Sequence, residues 1–115
     1  MNLIDTADAD GFFEVVTSTG RSQAATMTLS SGQSTGGPEN RHPEADQWCY
    51  VAAGTGVAVV EGEERRLRLG VLVCIEAGEA HEIRNDAGDG DDEMEPLRTI
   101  NVYAPRCTDG RPLDD

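Results

Sequence analysis

Eight short blocks rich in aliphatic and β-branched residues recur at 12–17, 22–29, 48–53, 56–61, 65–70, 71–75, 80–85 and 97–104. No other feature limits the fold so tightly. In "SQAATMTL" and "LRTINVYA" apolar and polar side chains alternate, the period of a strand with one face on a core. Gly-rich or acidic stretches separate the blocks: "STG" at 18–20, "SGQSTGGPEN" at 31–40, "GTG" at 54–56, "EGEE" at 61–64 and "EAGEA" at 76–80. Turn residues at that spacing predict hairpins in an antiparallel sheet. Apolar spacing near 3.6 never persists along the chain, so no long helix is expected.

A chain of 115 residues is about the size of one domain. A single domain over 1–115 is expected, with a barrel core from about 12 to 105 and loosely held ends. An all-β chain this small must hide its sheet faces and edges, which leaves a sandwich, a jelly roll or a closed barrel. Periodicity alone does not separate these three.

Charge narrows the partners. Nine basic residues against 22 acidic ones give a net charge of −13, which repels a nucleic-acid backbone or an anionic membrane surface at long range. Neither is an expected partner. Every basic residue is Arg, a composition seen in proteins of high-salt habitats or GC-rich genomes. The three cysteines, Cys49, Cys74 and Cys107, form an odd set without CxxC spacing, and no apolar run follows "MNLIDTADAD". Free thiols in a reducing cytoplasm are therefore expected. No stretch approaches the ~20 apolar residues that a spanning helix needs.

The acids of "DAGDGDDEMEP" at 86–96 do not follow the spacing of an EF-hand loop, so a solvated hairpin tip is expected rather than a calcium site. Only two histidines occur, His42 and His81, and neither GxSxG nor a Cys in an elbow-type turn is present. A hydrolase triad is thus not supported. Metal ligation is the more natural use of two histidines some forty residues apart, each near the start of a strand pair.

The stretch "GVLVCIEAGEAHEIRN" places Gly70, Glu76, Gly78, His81 and Asn85 at the spacing G-x5-P-x-G-x2-H-x3-N, with Glu76 in the proline position. This resembles the second motif of the cupin family. Residues 40–54 resemble the first motif, with Asn40 at its first histidine position, His42 at the second, Gln47 at the glutamate and Gly54 at the closing glycine. The resemblance implies an all-β cupin-type double-stranded β-helix, a jelly-roll barrel. It further implies a metal pocket in the barrel mouth built from Asn40, His42, Gln47 and His81, and a homodimer.

Two imidazoles and two amide oxygens form a neutral set, which lacks the Coulomb attraction a carboxylate lends to a bound cation. Such donors suit a divalent transition metal, Mn, Fe, Ni, Co or Zn. The alternative is a metal-free polar pocket in which these side chains bond to each other and to water. If Gln47 points into the barrel, alternation turns Cys49 and Val51 inward and leaves Trp48, Tyr50 and Ala52 on the opposite face. Cys49 reads as a small buried hydrophobe rather than a ligand. Glu44, Glu79 and Tyr103 are the acid-base candidates, the first two read as solvated and the third as core. Two function classes stand: a metal-dependent enzyme of oxygenase or isomerase type acting on a small molecule, and a non-catalytic module that binds a sugar or carboxylate.

Overall fold

A computed structural model of the chain describes residues 1–9, 11–35, 44–86 and 95–105. Eight strands account for most of them: β1 Phe13–Ser18, β2 Gln23–Leu29, β3 Asp46–Ala53, β4 Gly56–Val60, β5 Glu63–Leu67, β6 Leu72–Ile75, β7 His81–Arg84 and β8 Leu97–Ala104. Each falls on one of the blocks expected from the sequence. The largest displacement is at β5, which starts earlier than 65–70 and ends at Leu67. Arg68–Gly70 instead form a turn, closed by Val71 N–H donating to the Arg68 carbonyl at 3.0 Å.

The strands form a five-stranded antiparallel sheet in the order β1-β2-β8-β3-β6 and a three-stranded one in the order β5-β4-β7. The segment 32–35 extends the smaller sheet beside β7. Thr35 N–H bonds to the Ile83 carbonyl and Asn85 N–H to the Gln33 carbonyl, each at 2.9 Å.

Between the sheets lies a core of Met27, Leu29, Cys49, Val51, Ala58, Leu67, Ile75, Ile83 and Leu97. Strict alternation builds it: along β3, Gln47, Cys49 and Val51 are fully buried while Trp48 and Tyr50 are 45% and 41% exposed. The inward and outward faces expected for β3 are thus the observed ones. Trp48 and Tyr50 do not lie beneath a second sheet.

The N-terminal segment covers part of the outer face. Its 3-10 turn, Thr6–Asp8, is held by the Arg98 guanidinium, which donates to the Thr6 and Ala9 carbonyls at 3.0 and 2.8 Å. Two glycines close the far end of the barrel. A Cβ on Gly54 would stand 2.4 Å from the Pro96 carbonyl oxygen, and one on Gly56 2.5 Å from that of Arg84. The bare backbone there is a packing requirement.

Candidate functional site

Register fixes which side chains share the barrel interior. Gln23 lies opposite Tyr103, and Tyr103 opposite Gln47, so these three form one row across β2, β8 and β3. The next row is Ala25, Asn101 and Cys49, and the one below it Met27, Thr99 and Val51. Leu29 opposite Leu97 follows. The interior therefore grades from amides at one end to aliphatic side chains at the other.

His81 belongs to the polar end. Gln47 is opposite Ile75 on β6, and the short turn 76–80 leads from Ile75 to His81. That turn is pinned to the start of β3 by Ala77 N–H donating to Asp46 Oδ1 at 2.9 Å. It is closed internally by Glu76 N–H donating to the Glu79 carboxylate at 2.7 Å. His81 is fully buried, and its Nδ1 lies 3.3 Å from the Glu79 carbonyl oxygen. A carbonyl only accepts, so Nδ1 carries a proton and donates to it.

Gln47 is oriented by a chain of amides. Asn101 Nδ2 faces the Ala25 carbonyl at 3.5 Å and donates to Thr99 Oγ1 at 2.9 Å. The backbone carbonyl cannot donate, so Asn101 turns its Oδ1 towards Gln47 and receives Gln47 Nε2 at 3.0 Å. The Gln47 amide thus turns its oxygen away from Asn101. That oxygen is buried and has no hydrogen-bond partner among the described residues.

Of the four ligand positions read from the sequence, Gln47 near the start of β3 and His81 at the start of β7 are both fully buried, and Asn40 and His42 lie outside the described residues. The described chain reaches residue 35 running along β7, with Thr35 beside Ile83, and resumes just before Gln47. Among the described residues no three His, Cys, Asp or Glu side chains converge on a point that could hold a metal. The described donors fit a divalent ion in kind, one amide oxygen and one imidazole nitrogen, both uncharged.

The remaining candidates separate. Cys49 is part of the aliphatic core. Tyr103 is fully buried in the mouth row, Glu44 is exposed, and the Glu79 carboxylate is engaged in its own turn. The acidic stretch 86–96 falls largely outside the described residues; Asp86 itself pairs with Arg66 at 2.6 Å. Sequence reasoning missed Gln23 and Asn101. The signal was available, because both are amides in phase with buried neighbours of their strands, where amides are depleted.

A second concavity, a cleft of about 580 Å³, lies at the opposite end, lined by Gly54, Thr55, Arg68, Leu69 and Glu95 among others. None of its lining side chains is a buried acceptor without a partner among the described residues.

The cupin-domain family model matches residues 25–102. The chain belongs to the cupin family. Solved structures agree on the architecture. BH2720 from Bacillus halodurans is 22% identical, with 96% of this chain and 80% of that one covered at a TM-score of 0.78. TT1209 from Thermus thermophilus is 24% identical, covering 93% of this chain and 100% of that one at 0.78. A conserved Klebsiella pneumoniae protein with a double-stranded β-helix domain is 21% identical, covering 85% and 79% at 0.69. No curated protein matches the chain. The two sheets described above are those of the cupin double-stranded β-helix, and among the described residues no helix is long and apolar enough to cross a membrane.

Proposed function

We propose that this cupin binds a divalent transition metal in the barrel mouth through Asn40, His42, Gln47 and His81, and holds a small molecule beside it. One observation carries the reading. The Gln47 carbonyl oxygen is buried, aimed by Asn101 and left without a partner among the described residues. An unpaired buried acceptor costs about 1–3 kcal/mol, so a fold that keeps one has a use for it.

A bound divalent ion would supply Lewis-acid polarisation of a ligand oxygen at its open positions. The protein's own contribution is placement. Asn101 fixes the Gln47 amide, and the Glu79 carbonyl orients the His81 ring. A net charge of −13 draws cations towards the mouth and repels anions.

A second reading, binding without turnover, is favoured by the donors themselves. No carboxylate is among the fully buried inward residues described, so the general base that most metal-assisted reactions require has no described candidate there. In either case the chain works as a homodimer in the cytoplasm. It pairs through the outer face of β3, β6 and β8, where Trp48, Tyr50, Leu72 and Val102 stand exposed.

Metal analysis of protein purified without chelator tests the reading. About one equivalent of transition metal, lost in His81→Ala, is expected. Less than about a tenth of an equivalent in the parent protein, unchanged by that substitution, would defeat the metal site.

A further inference from the structure

We propose that Gln23 contacts the ligand, and that the mouth selects an uncharged polyhydroxylated molecule, a sugar or cyclitol, over a carboxylate. This rests on the reading that the mouth holds a small molecule, and it stands whether or not a metal is present.

Gln23 opens β2 and alternates with Ala25, Met27 and Leu29, all buried, so its side chain points inward. It is 5% exposed, and its Oε1 is buried with no hydrogen-bond partner among the described residues. The same holds for Gln47 Oε1 in the same row, with Tyr103 between them. Leu or Met could fill position 23 without leaving an acceptor dry. Two such oxygens in one row of a core are therefore an arrangement for a ligand rather than for stability. The other two buried oxygens without described partners, Thr26 and Thr28 Oγ1, lie on the opposite face of β2.

The chemistry of the row sets the ligand class. The two dry carbonyl oxygens only accept, so a ligand that satisfies both must donate to both, and a carboxylate, which brings acceptors alone, satisfies neither. No described arginine is buried in the row: Arg21 and Arg68 are exposed, Arg65 pairs with Glu63, Arg66 with Asp86, Arg84 with Glu64 and Glu82, and Arg98 donates to the Thr6 and Ala9 carbonyls. Gln23 and Gln47 sit on strands separated by β8, roughly 10 Å apart at the backbone. One ammonium group meets one of them at a time. A polyol carries several hydroxyls at separated positions and reaches both.

Calorimetric titration of the full chain, as purified and metal-loaded, tests this with glucose, galactose, arabinose and myo-inositol against malonate, succinate and ethanolamine. At least one polyol is expected to bind saturably, with the affinity lowered about tenfold in Gln23→Met, the equivalent of one hydrogen bond. Gln23→Met should keep its metal and show an unchanged or higher Tm, because it removes a dry acceptor. Gln23→Glu, which keeps acceptor oxygens at the same reach, should retain polyol binding. Dicarboxylate or ethanolamine binding in preference to polyols overturns the proposal. So does the absence of any polyol binding, or polyol binding that Gln23→Met leaves unmoved. A parent protein without metal that still loses polyol binding in Gln23→Met defeats the metal reading alone. Metal present with polyols indifferent to residue 23 defeats this inference alone.

Discussion

Gln47 and Asn101 hold each other in a single amide orientation: Gln47 Nε2 donates to Asn101 Oδ1 at 3.0 Å, with both side chains fully buried. Because Asn101 is itself aligned by the Ala25 carbonyl and Thr99, the pair works as one unit. Asn101→Leu leaves the Gln47 donor dry and should cost about 2–3 kcal/mol in denaturant unfolding. Gln47→Met added to it removes the stranded amide. The double variant should then be less destabilised than the two single losses summed, by about 1 kcal/mol. Strict additivity would show that the pair is not coupled.

Two glycines with the same backbone sign separate conformational from steric cost. Gly54 and Gly62 have φ of 79° and 80°, but a Cβ meets nothing within 4 Å at Gly62 and backbone atoms from 2.4 Å at Gly54. Gly62→Ala should cost only the left-handed penalty of about 1–2 kcal/mol. Gly54→Ala must also push back the Pro96–Leu97 backbone, and at least about 3 kcal/mol or failure to fold is expected. Equal losses in thermal unfolding would show that the Pro96 contact yields freely.

How much of this was legible in the sequence depends on which signal each residue leaves. The strands were, because Gly and Asp punctuate them. β5 was displaced because Glu63 and Glu64 sit on an edge strand, where charged side chains face water and leave no apolar trace. Spacing, the residue count that returns a chain to one end of a barrel, is what marks Gln47 and His81 in the sequence as candidate ligands. Gln23 and Asn101 belong to no spaced motif. Only the register that sets Gln23 opposite Tyr103 and Asn101 opposite Cys49 places them in the mouth. Alternation could have turned them inward, but it could not choose their row.

The outer face of β3 makes the dimer testable. Trp48 lies opposite Cys74 and Val102, and Tyr50 opposite Leu72 and Ile100, so the exposed apolar groups form a continuous patch. Burying such a patch against a second copy at about 25 cal/mol per Å² is the driving force expected for self-association. Sedimentation velocity should show a dimer at micromolar concentration and a monomer for Trp48→Asp with unchanged Tm per protomer. A parent protein that sediments as a monomer removes this interface.

Cys74 lies on that same face and is free. Its thiol pKa is raised above the ordinary value, first by partial desolvation against the sheet and then by the negative charges of Asp46, Glu76 and Glu79. The thiolate is the nucleophile, so a raised pKa means less of it at mildly alkaline pH and slower alkylation. In a Cys107→Ser background, diluted until sedimentation shows monomer, Cys74 should react with iodoacetamide more slowly in the folded chain than in urea. Asp46→Asn keeps an oxygen for the Ala77 N–H but removes a charge, and should speed the reaction without opening the turn. The stability linked to this shift is whole below the ordinary thiol pKa and declines as pH rises through the folded value. The rate difference, not Tm, is therefore the readout near neutral pH. Alkylation as fast in the folded chain as in urea, or unaffected by Asp46→Asn, would mean that neither the sheet nor its acidic rim acts on the sulfur.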